Sequence, residues 1–189
     1  MSVKLMIYES RFWKNDLLKQ ANSLRSRMLQ KRWPEASFAR LEQDMMLGFY
    51  SIRKLIESKK LSDAVANQSL EALSYEWMGE PVTLINKNKI EKLYNLNSGH
   101  KIQKKLIFFC HQFIHSYIFE VLFDENYRLN GIFISSDKER NKALYLVKLQ
   151  SVIDIFEQVG SDYPTNLEYT INFKTLEYDV KAWSQKIDQ

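Results

Sequence analysis

Cysteine, proline, glycine and histidine are all scarce in this chain. A single cysteine, Cys110, rules out an internal disulfide and any zinc ribbon built on Cys-X-X-Cys pairs. Three prolines and five glycines are too few for an all-β fold full of tight turns, so long helices are expected. There is no glycine-rich phosphate loop and no Gly-X-Ser-X-Gly elbow, which removes nucleotide-loop enzymes and α/β-hydrolases. The longest apolar run, 106–123, is interrupted by two histidines, a glutamine and a glutamate, so it reads as buried in protein and not in lipid. Nothing resembling a signal peptide precedes Ser10. With the lone thiol, this leads to the expectation of a cytoplasmic protein without a membrane partner.

What is present points to one globular domain. At 45% hydrophobic and 26% charged, the 189 residues read as globular and not disordered. A chain of this length buries about 70% of its unfolded surface. The net charge of +4 is modest but unevenly placed. Residues 10–33 hold Arg11, Lys14, Lys19, Arg25, Arg27, Lys31 and Arg32 against a single acid, Asp16. Residues 150–189 hold seven acids and three lysines. Such asymmetry suits a polyanion-binding face, complementary surfaces in an assembly, or simply a solvated helix face.

Periodicity organises the first half. Trp13, Leu17, Ala21, Leu24 and Met28 form one helical stripe, ended by Trp33-Pro34. Phe38, Leu41, Met45, Phe49, Ile52 and Ile56 form a second over 35–59, so an α-hairpin is expected. Ser62-Asp63 caps a weaker third helix to about residue 75, followed by a short strand at 82–85 and a helical turn at 89–94. A central helix is expected over 101–119. Strands are expected at 127–135 and 143–148, with Gly131 at a bulge, then a helix at 150–159 stopped by Gly160. Alternating Tyr169, Ile171 and Phe173 favour strand within 167–180. The resulting fold class is α+β, mainly α. It is a single domain with a helical bundle over 10–120, and a small β-hairpin or sheet, a helix and a C-terminal segment over 121–189.

On the expected central helix, Lys104, Lys105, His111, Gln112, His115, Ser116 and Glu120 form a polar stripe among apolar neighbours. His111 and His115, four apart, share a face. Four readings apply. The two imidazoles could satisfy hydrogen bonds at the core edge. They could bind zinc, as in a metal-dependent hydrolase, but His-Gln-Phe-Ile-His lacks the glutamate of metalloproteases, and only His100, Cys110 or Glu120 is near enough in sequence to add a ligand. They could move protons at a phosphodiester, with Lys104, Lys105, the basic first helix or Arg53 supplying the cation. Or the domain could bind a partner without catalysis. Ser135-Ser136-Asp137 with Arg140 is a further candidate, as a phosphate-binding turn.

His111-Gln112-Phe113-Ile114-His115-Ser116-Tyr117, following two long helices, resembles the signature helix of HEPN domains. These are small helical-bundle proteins, many of them RNases of toxin–antitoxin and phage-defence systems. His115-Ser116-Tyr117 matches the end of the family's motif, and His111 stands at its polar position. The motif arginine falls at 108–110, where this chain has Phe108, Phe109 and Cys110, so only His115 carries over. The resemblance implies a bundle and a metal-independent RNase acting through His115. Together these readings nominate His115 and His111 for catalysis, and Arg25, Arg27, Lys31, Arg32, Lys104 and Lys105 for binding. Expected partners are RNA, DNA or a protein, in a monomer or an oligomer, and no cofactor is implied.

Overall fold

The computed structural model describes residues 7–173 and 177–184. The α-hairpin forms as its periodicity predicts. Helices α1 (Ser10–Met28) and α2 (Glu35–Glu57) bury Leu17, Ala21 and Leu24 on one side, and Leu41, Met45, Phe49 and Ile52 on the other. Pro34 caps α2 in an extended conformation. The third helix does not run to residue 75. Ser62 caps only a single turn, α3 (Asp63–Ala66), and the chain then enters strand β1 (Ser69–Glu76). The segment at 82–85 is not a strand, and the turn at 89–94 is α4 (Ile90–Leu93).

The largest correction concerns 101–119. That stretch is not one helix but a strand, a helix and a strand: β2 (His100–Lys105), α5 (Leu106–Ile114) and β3 (Ser116–Phe123). Beyond it lie β4 (Leu129–Ser136), β5 (Ala143–Lys148), α6 (Leu149–Ser161), β6 (Asn166–Asn172) and β7 (Glu177–Trp183). Strands β2-β1-β5-β4-β3 form one antiparallel sheet, and β6-β7 a separate hairpin. With 41% helix and 29% strand, the molecule is α+β and not the mainly helical bundle with a small hairpin. A bundle over 10–120 is ruled out because β1, at 69–76, pairs with β5, at 143–148.

Both faces of the sheet are covered. Leu70, Ala72, Ile132, Ile134, Tyr145 and Val147 point to the helical side, where they join the buried faces of α1, α2, α5 and α6. Their strand neighbours Tyr75, Phe133, Leu144 and Leu146 point to the other side and pack with Val82, Leu93 and Tyr94 from the 77–99 segment. The alternation follows from the two-residue period of a strand. A register shift next to Gly131 confirms an irregularity there, where a Cβ would lie 2.9 Å from Leu146 Cδ1.

Two glycines set the helix spacing. A Cβ on Gly48 would lie 2.2 Å from the Phe156 ring, so α2 meets α6 only without one. Gly160 lies inside α6 and does not stop it; a Cβ there would lie 2.7 Å from the Leu18 side chain of α1. Lys14, 1% exposed, is the buried cation of the core. Its Nζ donates to the carbonyls of Lys60 (2.9 Å) and Asp162, and lies 4.1 Å from the Tyr163 ring.

Candidate functional site: a cationic shelf at the end of strand β3

The site begins with the way α5 ends. Leu106, Phe109, Cys110 and Phe113 recur at helical spacing and are buried, with Phe113 stacked on Phe49 of α2 at 4.0 Å between ring centroids. That orientation leaves His111 on the outward face, exposed. The β-rich sequence from Tyr117 to Phe123 then takes over, paired with β4. His115 is therefore the C-cap of α5 and not a mid-helix residue. Its N–H donates to the His111 carbonyl (3.1 Å), and its own carbonyl accepts from Asp137 N (3.0 Å). Buried Gln112 is tied to the same corner, its Oε1 accepting from Ser136 N at 2.9 Å.

The two imidazoles remain neighbours despite the change of element, with ring centroids 6.1 Å apart and planes 19° apart. Although the ring is exposed, partial desolvation on the helix side pushes the His111 pKa below the usual imidazole value, helped by Arg53, the neighbouring His115 and Lys138, against the pull of Glu57. Arg53 comes from α2, where it pairs with Glu57 at 2.7 Å. Lys138 comes from the β4–β5 turn. From the same turn, the Arg140 guanidinium lies 3.8 Å from the Tyr117 ring centroid, and Lys87 Nζ approaches that ring at 5.6 Å. The turn is held from beneath: buried Tyr94 donates through its hydroxyl to the Arg140 carbonyl, and Asn141 Oδ1 accepts from Val82 N at 2.9 Å. Four separate segments thus bring cations or imidazoles to one end of β3.

Beside this shelf runs a groove between α2 and the open edge of β3. It has a 110 Å³ part by Lys87 and Tyr117, and a 460 Å³ part over Phe38, Phe119 and Val121. Its charged lining is Glu35, Glu42 and Glu120, with Lys87 at the end nearest Tyr117. Burial raises the Glu120 pKa, with Lys87 acting the other way.

The cations nominated from the sequence lie elsewhere. Arg25 pairs with Glu157 (2.8 Å), and Arg27 with Asp44 (3.4 Å) and the Ser37 carbonyl. Lys31 and Arg32 are exposed beyond the end of α1. Lys104 and Lys105 are exposed on β2, at the opposite edge of the sheet from β3 and at the far end of α5 from His115. Nine residues of helix put about 13 Å between those ends. Among the described residues no three histidine, cysteine, aspartate or glutamate side chains cluster to hold a metal, so the histidine pair gains no further ligand of that kind. Cys110 faces the core, and burial lifts its thiol to about 12. Ser135 and Ser136 do not form a phosphate turn: Ser135 Oγ donates to the Ala143 carbonyl at 2.8 Å, and both residues are buried.

Lys87, Lys138 and Tyr117 were not nominated from the sequence as binding residues. Tyr117 carried a signal in its place after His115-Ser116, and Arg140 in its place after Asp137. Nothing local marked the two lysines. Comparison with protein-family models, with curated proteins and with solved structures finds no match for this chain. No helix among the described residues is long and apolar enough to cross a membrane.

Proposed function

We propose that this protein binds nucleic acid, and that it does so through the shelf around Tyr117 and the histidine pair instead of through α1. The observation that carries the reading is that Arg53 and Lys138 act on the exposed His111 beside His115, while Lys87 and Arg140 stand over the neighbouring Tyr117 ring. Much of the α1 charge is taken up within the molecule; on the shelf Arg53 pairs with Glu57 and Arg140 with Asp137 (3.3 Å), while Lys87 and Lys138 are exposed. Phosphates favour such a cluster because each contact releases condensed counterions. Tyr117, with Arg140 over its ring, adds an aromatic platform of the kind that single strands use for stacking.

The test is binding of a fluorescent single-stranded RNA, read by anisotropy. Replacing Lys87, Lys138 and Arg140 together by Gln is expected to weaken binding roughly tenfold or more and to flatten its salt dependence. Replacing Arg25, Arg27, Lys31 and Arg32 together is expected to leave affinity within about threefold, well under the tenfold step of 1.4 kcal/mol. The opposite ranking would transfer the function to α1, and no binding at low salt would end the proposal.

A second reading is supported by the parallel, exposed imidazoles. His111, whose pKa is pushed down by its surroundings, could accept a proton from a phosphodiester that also reaches His115, 6.1 Å away between ring centroids. This is the RNase activity that the resemblance at 115–117 implies. It requires RNA cleavage that persists with a chelator and is lost in His115→Ala with the fold intact.

A further inference from the structure

The β6–β7 hairpin is amphipathic, and its apolar face is bare. Its register places Leu167 opposite Ala182, Tyr169 opposite Val180 and Ile171 opposite Tyr178, all on one face, with Phe173 just beyond the strand. The other face carries Glu168 opposite Lys181 and Thr170 opposite Asp179, with Trp183 as its large apolar side chain. A strand pair sorted this cleanly by polarity is the pattern of a sheet with one face buried. Here only the base is covered: Ala182 is buried, and its N–H donates to an Asp63 carboxylate oxygen at 3.3 Å. Leu167 is 49% exposed, Tyr169 58%, Ile171 38%, Phe173 80% and Tyr178 48%. A two-stranded hairpin is marginally stable by itself and needs a partner for its apolar face.

We infer that this face packs against the same face of a second copy of the chain, hairpin on hairpin about a two-fold axis. Area and charge favour that occupant. At about 200 Å² for a fully exposed large side chain, the five exposures amount to roughly 550 Å² per copy. Two copies can bury at most about 1,100 Å², close to the ~1,000 Å² of a specific interface and the size of a weak, reversible contact. Among the described residues the face holds no charged side chain, so facing copies bury no unpaired ion. A charged partner would find nothing there to pair with. The face-to-face arrangement of two amphipathic sheets is that of a β-sandwich, in which the inner side chains interdigitate. A two-fold contact of this kind is closed, so it yields a dimer and not a filament.

The test is the mass of the full chain in solution, by sedimentation or light scattering, from about 1 to 200 µM, a range that fills a micromolar contact. The expected result is a shift from 22.5 kDa to twice that mass with rising concentration. Tyr169→Glu/Ile171→Glu is expected to stay at the monomer mass with an unchanged far-ultraviolet circular dichroism spectrum. Val180→Cys, on the same face, is expected to be linked to its partner copy by a bifunctional maleimide that spans two facing sheets, since Cys110 is buried; this variant decides the matter if the double glutamate variant fails to fold. A wild-type chain that stays monomeric at 200 µM overturns the inference. So does a dimer that persists unchanged in a folded double variant, or a Val180→Cys chain that does not cross-link.

Discussion

His111 shows how one residue reports on the site. Its folded pKa lies below the unfolded value near 6.5 because of partial desolvation and neighbouring cations. The sign follows from linkage. As pH falls below about 6.5, the unfolded chain takes up the proton first, so this residue subtracts stability on acidification, most fully below its folded pKa. A bound phosphate reverses the balance by stabilising the imidazolium. Affinity for a polyanion should therefore rise as pH is lowered through the His111 titration. Proton NMR should find the His111 pKa below 6.5 in the free protein and raised both by ligand and by Arg53→Gln. A His111 that titrates at or above 6.5 without ligand would contradict the assignment. Lys14 is a residue of a different kind, a buried ammonium whose partners are backbone carbonyls. Lys14→Met should destabilise the protein by about 1–3 kcal/mol, since the Lys60 and Asp162 carbonyls lose their donor. Urea unfolding measures this, and an unchanged midpoint would show that water replaces the ammonium.

At the scale of elements, the helices stand close because small residues lie where they cross. Gly48→Ala removes a flexible residue from a helix interior, which by propensity alone would stabilise α2 by about 0.5–1 kcal/mol. The contact with Phe156 decides the sign instead: the ring must move, so a net loss of about 1–3 kcal/mol is expected from thermal or urea denaturation. Stabilisation would mean that α2 and α6 shift apart freely.

Elements whose period is long or whose turns are marked were legible in the sequence. The stripes of α1 and α2 and the strands β4 and β5 came out close to their observed limits. β1 was not legible because Leu70, Glu71, Ala72 and Leu73 are good helix formers. Pairing with β5, some seventy residues away, overrides that preference. The 101–119 stretch failed for a related reason. A continuous apolar run satisfies both periods, so the passage from α5 to β3 at His115 is decided by β4. The histidine pair is nonetheless legible, because one turn of helix keeps residues 111 and 115 adjacent even where the helix stops.

At the scale of the whole molecule, the sheet separates surfaces that the sequence ran together. The basic residues nominated for binding fall on and just beyond α1 and on the β2 edge, away from the β3 end. Lys87 and Arg140 lie 53 residues apart and meet because Tyr94 and Asn141 fasten the 77–99 segment to the β4–β5 turn. No local pattern announces a contact of that sort. The most direct measurement of the central claim is amide chemical-shift mapping of the isotope-labelled protein titrated with a short single-stranded RNA. The account predicts that perturbed amides concentrate at Lys87, at 111–117 and at 138–140, while those at 25–32 and 101–105 stay in place. Perturbations confined to α1 or to β2, or none at all at saturating RNA, would contradict it.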